Sequence, residues 1–358
     1  MTSKTGMFDG FDQLDVRMEE RREKSMLEIA LDFEKKVLDK YGMMSCLGWD
    51  SRELNLYNHL FHYIEQEFQA KLFDHDFFEK YIQARDNSRK NDESLIRGMY
   101  LGILLEMYCD RTDEPIVIDG KNKVFHYLFY GAKKIKNLTL ENISGDKILK
   151  LSGSAGKTAE NISLRNVTGD EILFGLGSDN GIAKYITLNN IRGNKTLENA
   201  GSNKGSIKNM ILNNIKGDRT LTDAGRNGGS VSFMTLNKVE GRDTLWYAGS
   251  DKGSIENITL HNTRGHNILG NAGSNYGSAS LILLNDITGN YRHYHVGRHG
   301  ISIKDIFTRN QGNTNQKLIF SRIESIVSTI HTLPFEEQKS AHDEIARLQK
   351  EIFAEVEK

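Results

Sequence analysis

The chain has 358 residues, with 47 Lys plus Arg against 48 Asp plus Glu and a net charge of −1, a length that suggests about two to three domains. So even a balance gives no general attraction to nucleic acid or to an anionic membrane. No stretch approaches the roughly 18 consecutive apolar residues of a membrane span, no apolar leader run opens the chain, and Cys46 and Cys109 lack metal-ligand spacing, so the expected setting is the cytoplasm, with reduced, buried thiols and no cofactor.

Residues 1–112 read as an α-helical domain. Leu27, Leu31, Leu38 and Tyr41 recur at helical spacing, and Gly42 is placed to end that helix. Leu54, Tyr57, Phe61, Ile64 and Phe68 mark a second helix, with Asp50 and Glu53 spaced as a capping box. Phe77, Tyr81 and Ile82 suggest a third helix, and Ile96, Met99, Ile103, Leu104 and Met107 a fourth. The aromatic and Met stripe reads as the core of a small bundle rather than as a cofactor site.

Residues 113–310 are written in a period of 24. Copies start at Asn137, Asn161, Tyr185, Asn209, Phe233, Asn257 and Leu281. The fourth position is Leu in every copy, from Leu140 to Leu284, and the ninth and seventeenth are Gly. The sixth is Asn except at Lys238 and Asp286. The 33 glycines and 2 prolines of the chain fit many tight turns within regular structure. A period of this length announces a solenoid, in which each coil buries its apolar face only against a near-copy of itself. The phrase "ITL" alternates as a strand does, and no segment between glycines suits a helix. The expectation is about eight coils, each of about three short strands separated by Gly or Asn corners. Stacked at ~4.8 Å, they would give a leucine column and an asparagine amide ladder.

The strand phrase "IKNLTLENISG" and its copies resemble coils of the right-handed parallel β-helix superfamily, the pectate-lyase-like group, over residues 113–310. The spacing Ile207-Met210-Leu212 also resembles leucine-rich repeats, although "GDRTLTDAGRNGG" suits their return segment poorly. The fold class expected is thus mainly β, a parallel β-helix solenoid with an N-terminal helical domain and a C-terminal helical cap. Ile135 already holds the repeat's inward position in an irregular first coil, and "DIFTRN" at 305–310 reads as a last partial strand. Residues 311–358 return to helix: Ile319, Ile323, Ile326 and Ile330 form one face, Leu333-Pro334 breaks the run, and Ala341, Ile345, Leu348, Ile352 and Val356 form the next. Because a bare solenoid end offers unpaired strand edges, these helices are expected to cover the far end.

The resemblance raises polysaccharide chemistry, carried in some members by clustered carboxylates, Arg, His or calcium. The paired Asp residues and Gly-His-Gly of the pectin-hydrolysing members are absent, and "GRHG" at 297–300 is not that motif. Asp170, Asp218, Asp223 and Asp243 stand as isolated acids. The column of Asp146, Asp170 and Asp218 follows a corner Gly, where Asp commonly bonds backbone. No catalytic residue and no metal site is therefore assigned.

Departures from the repeat gather in its last three coils. Trp246, Tyr247, Tyr276, Tyr291 and Tyr294 stand where other copies have mainly polar or small residues. His266 follows a corner Gly, and "YRHYHVGRH" supplies Arg292, His293, His295, Arg298 and His299. Stacking would set His266 near Arg242 and Asn290, and His295 near Asn271. Either the last coil adapts to its helical cap, or these side chains form a binding surface; a metal held by His293 and His295 is a third reading. The function expected is a non-catalytic scaffold that binds a protein partner or itself; the alternative is a carbohydrate-active β-helix enzyme.

Overall fold

The computed structural model describes residues 24–42, 51–69, 73–74, 76–85, 87–285, 305–308 and 314–356. Four helices open the described chain: α1 (Met26–Tyr41), α2 (Ser51–Phe68), α3 (Phe77–Ala84) and α4 (Asp92–Arg111). Ser25 caps α1 with a reciprocal Glu28 bond, and the Gly42 N–H closes the helix onto Leu38 O. Asp50 lies outside the described residues. The buried face of α1 is Ala30, Phe33, Val37 and Tyr41, while Leu27, Leu31 and Leu38 flank it. Helix α4 is buried almost all round from Ile96 to Cys109, because helices cover one side and the first coil the other. Burial pushes the Cys109 thiol up to about 11.

Among the described residues, nine parallel strands follow in a single sheet whose spatial order is the chain order, the topology of a parallel β-solenoid. They are β1 (Ile116–Val124), β2 (Ile135–Ser144), β3 (Thr158–Thr168), β4 (Ile182–Arg192), β5 (Ser206–Lys216), β6 (Ser230–Glu240), β7 (Ser254–His261), β8 (Ser278–Asn285) and β9 (Asp305–Thr308). The pairing is the 24-residue register: Leu164 meets Leu188, Leu212 and Leu236 in succession. All four are fully buried, as the leucine column requires.

The coils differ from the expectation in one respect. Each described coil has one long strand, not three short ones, and its return is a chain of turns without helix. In the return after β2, Lys147, Leu149, Leu151 and Gly153 have φ of 61°, 55°, 61° and 60°. Their N–H groups donate alternately to the next and the preceding coil: Lys147 N to Asp170 O at 2.8 Å, Leu149 N to Leu128 O at 2.8 Å, Leu151 N to Phe174 O at 2.7 Å. A left-handed leucine costs ~1–2 kcal/mol, yet Leu149, Leu173, Leu197 and Leu221 are fully buried, which returns ~1.5–3 kcal/mol each. Burial wins, and the leucine stays.

The sixth-position asparagines also have positive φ, 51° to 56° from Asn142 to Asn214, a region Asn tolerates better than most residues. Their amides form the expected ladder: Asn142 donates to Asp119 at 3.1 Å, Asn166 to Asn142 at 2.9 Å, Asn190 to Asn166 at 2.7 Å and Asn214 to Asn190 at 3.1 Å. The ninth-position glycines have a different cause. A Cβ on Gly193 would lie 1.8 Å from Gly169 O, so no side chain fits between coils there.

The C-terminal helices form as the periodicity predicts, α5 (Thr314–Thr329) and α6 (Phe335–Val356), joined by a 3-10 turn at Ile330–Thr332. Their position corrects the expectation of a cap over the far end. They lie along the outward face of the sheet, against β4, β5 and β6. Beneath them the third-position column of Thr139, Ser163, Thr187, Ile211, Thr235 and Thr259 is buried. Ile211 joins Ile319, Phe320, Ile323, Val327, Ile345, Leu348 and Ile352 in a core of their own. Hydrogen bonds also join the two layers: Gln349 Nε2 donates to Thr235 Oγ1 at 3.2 Å and to Thr259 Oγ1 at 2.8 Å, and His342 Nε2 lies 3.0 Å from Thr187 Oγ1. Burial pushes the His342 imidazole down to about 3, so it is neutral there. No described helix is long and apolar enough to cross a membrane.

Candidate functional site

The return segments place side chains on the flank of the solenoid opposite the sheet. After each buried leucine of the return comes a residue whose column reads Lys150, Phe174, Glu198, Thr222 and Trp246. Trp246 and Tyr247, both half-buried, stack with ring centroids 5.7 Å apart and planes 17° from parallel. Tyr247 has φ 55°, the left-handed conformation shared by its column neighbour Asp223.

Arg226, one coil earlier, holds its guanidinium 5.2 Å from the Tyr247 ring. Arg226 Nη1 donates to Asp223 Oδ1 at 2.8 Å and Nε to Asp251 Oδ2 at 2.5 Å. Burial works against the Arg226 charge, and the hydrogen bonds to Asp251 and Asp223 outweigh it, so its pKa rises. Asp251 also accepts from Asn275 Nδ2 at 2.9 Å, and the next residue, Tyr276, is 72% exposed. One chain of contacts thus runs from Trp246 through Tyr247, Arg226 and Asp251 to Asn275 beside Tyr276.

Of the residues singled out in the sequence, Trp246 and Tyr247 are in contact, and Tyr276 follows Asn275, the last member of this network, in the chain. His266 is exposed, one coil above Arg242, whose guanidinium folds back onto Asp218 with N–O distances of 3.0 and 2.8 Å. Tyr291, Arg292, His293, Tyr294, His295, Arg298 and His299 lie outside the described residues.

The isolated acids are hydrogen-bond acceptors within the stack. Asp146 accepts from Asp170 N, Asp170 from Asn194 N, and Asp218 from Arg242 N, each at 2.8 Å. The backbone bonded is that of the next coil, which explains why this column is short and polar from Asp146 to Asp218. Asp243 accepts from Asn267 Nδ2 at 2.8 Å.

One acid was not visible in the sequence. Glu198 is 5% exposed; its Oε1 pairs with Arg219 at 2.5 Å, while Oε2 is buried without a hydrogen-bond partner. Burial raises its pKa. The signal lay in its column, where it stands between Phe174 and Thr222 directly after an inward leucine. The flank around it is laced with pairs, Lys150 to Glu171 at 2.8 Å and Lys195 to Glu171 at 3.8 Å.

Comparison with protein-family models, with curated proteins and with solved structures gives no match for this chain.

Proposed function

We propose that the protein is a non-catalytic scaffold of the cytoplasm that binds another protein through the return flank of its solenoid, centred on Trp246 and Tyr247. The observation that carries this reading is the stacked, half-exposed aromatic pair buttressed by Arg226, with Tyr276 exposed in the following coil. Trp, Tyr and Arg are the side chains that concentrate binding energy at interfaces. A solenoid supports them well, since each coil is fixed by hydrogen bonds to the coils on both sides and loses little freedom on binding.

The test is capture of a partner by the intact chain and by the triple variant Trp246→Ala, Tyr247→Ala, Tyr276→Ala. Loss of ~2 kcal/mol or more at such a centre weakens binding about thirtyfold. Capture at wild-type strength by a variant that melts normally would refute the assignment.

The rival reading, a carbohydrate-active enzyme, draws support from Glu198, a buried acid with a free oxygen and a raised pKa. It predicts new reducing or unsaturated ends from acidic or neutral polysaccharides, abolished by Glu198→Gln or Asp223→Asn. Activity of that kind would displace the scaffold reading.

A further inference from the structure

The C-terminal helices can leave the solenoid without opening it. The main core runs from the N-terminal helices through the coils and includes no described residue of α5 or α6. The core of the C-terminal helices takes only Ile211 from the sheet among the described residues. The strands beneath are paired to each other, β4 to β5 and β5 to β6, whether or not the helices are in place. The seam between the two layers is also imperfectly filled. Asn237 Oδ1 on the sheet and Gln349 Oε1 on α6 are buried without a hydrogen-bond partner. A cavity of about 10 Å³ lies between Thr235, Thr259 and His261 of the sheet and Phe320, Ile323 and Glu324 of α5, space for about one water.

His342 of α6 is set in this seam at 2% exposure. Its Nε2 lies 3.0 Å from Thr187 Oγ1 of β4, and the Tyr185 ring of the same strand is 5.5 Å away. The charged groups around it are engaged elsewhere. Asp343 accepts from Tyr185 OH at 3.4 Å and lies 4.0 Å from Lys208 of β5, and Glu344 pairs with Arg322 of α5 at 2.6 Å. Lys339, one turn earlier on α6, is exposed. Burial is the cause that brings the His342 imidazole from 6.5 down to about 3. His331, in the 3-10 turn against β4, goes the same way: burial lowers its pKa, Arg165 of β3 adds to the fall, and Glu141 of β2 opposes it. His261 of β7 has the opposite sign, since its Nε2, 2.7 Å from Glu324 Oε1 of α5, makes an ion pair only when protonated.

A charged imidazolium in this seam would be buried against an uncharged hydroxyl. Released into water, the same ring ionises at its ordinary 6.5. The contribution of His342 to docking is therefore complete above pH 6.5. Each pH unit below that value weakens docking about tenfold, down to the docked value of about 3.

We propose that α5 and α6 form an acid-released cover on the outward face of the sheet, held in place at neutral pH and let go on acidification, with His342 as the trigger. Release uncovers the strip of Thr187, Ile211, Thr235 and Thr259, a face without charge that neutral pH keeps buried. The solenoid itself stays folded, because its core and its strand pairing do not pass through the cover.

Hydrogen exchange of the full chain tests this, read peptide by peptide by mass spectrometry and normalised to the intrinsic rate at each pH. Between pH 6.5 and pH 5.0 the loss through His342 alone is about 30-fold, and the His261 pair returns part of it. The protection of α5 and α6 should thus fall at least tenfold, while β4 and β5 beneath them keep theirs. His342→Gln keeps a polar group for Thr187 but takes no proton, and it should remove most of the fall. Adding His331→Gln should remove the remainder. Where His342→Gln docks poorly at pH 7.5, His342→Met, uncharged and of similar volume, takes its place. Level protection of α5 and α6 from pH 7.5 to pH 5.0 in the wild type would overturn the proposal. So would an equal fall in β4 and β5, or an unchanged fall in the variants that cannot ionise at position 342.

Discussion

Replacing Lys238 with Asn should stabilise the protein. Lys238 sits in the asparagine column with φ 55°, between Asn214 (φ 56°) and Asn262 (φ 48°), and it is exposed. The ladder that climbs from Asp119 through Asn142, Asn166 and Asn190 stops at Asn214. The register continues on both sides of the gap, Asn213 to Asn237 and Asn237 to His261. The amide introduced by Lys238→Asn would donate to Asn214 and accept from Asn262, at ~0.5–1 kcal/mol for each half-exposed bond. Exchanging Lys for Asn in a left-handed conformation adds ~0.5–1 kcal/mol. Removing an exposed cation changes little. The sum is about 1.5–3 kcal/mol, which corresponds to a rise in melting temperature of at least ~3 °C by the scaling of 150–250-residue domains. Lys238→Gly isolates the backbone part and should gain less; Lys238→Ala gains neither and should be neutral. Thermal melts and urea midpoints of the three variants decide it. If Lys238→Asn is no more stable than Lys238→Ala, the ladder is decoration and contributes nothing measurable.

The leucine column is the opposite case. Leu212 lies fully buried between Leu188 and Leu236, so Leu212→Asp should cost more than ~4 kcal/mol; an unchanged melting temperature would disprove the register. Glu106 gives a pH dependence. Its Oε1 accepts from Tyr57 OH and the Lys133 N–H, and burial raises its pKa from 4.5 to about 7, those hydrogen bonds opposing the rise. The unfolded carboxyl ionises first, so its contribution is complete below 4.5 and is lost as pH rises through 7, a span worth roughly 3 kcal/mol. Glu106→Gln should therefore gain on the wild type in melting temperature between pH 5 and pH 8. A constant difference would show that Glu106 does not titrate in that window.

How far the sequence reaches depends on what each position has to do. The period, the leucine column and the asparagine ladder were legible because every coil meets a near-copy of itself, so one physical demand is written many times. The single strand per coil was not. Leu149 and its equivalents look like strand residues, and only their stacked hydrogen bonds impose φ near +60°. The seat of the C-terminal helices left a faint mark: the outward third position holds Thr139, Ser163, Thr187, Thr235 and Thr259, with Ile211 among them and no charge. A solvated strand face usually carries Lys or Glu. At the flank, Trp246 and Tyr247 stood out as departures, but Arg226 did not, since its pairing with Asp223 and Asp251 joins adjacent coils.

The seat also separates two kinds of attachment that the sequence writes alike, as amphipathic helices on either side of a repeat. One core runs without interruption from Ala30 through Leu104 and Phe129 to Leu269, so the N-terminal helices and the solenoid are a single packed body, and residue 112 marks a change of element rather than a gap in the core. The C-terminal helices keep a separate core on the other side of the sheet. Parallel sheets covered on both faces usually read as continuous apolar runs; here the outer layer is Thr and Ser, and its partners are Gln349 and His342. Several buried polar atoms in this seat lack a partner, among them Ser163 Oγ, Asn209 Oδ1 and Gln349 Oε1. Each such atom is a desolvation cost without return. The chain therefore fastens its start by fusion, in one continuous core, and its end by docking, on a core of its own.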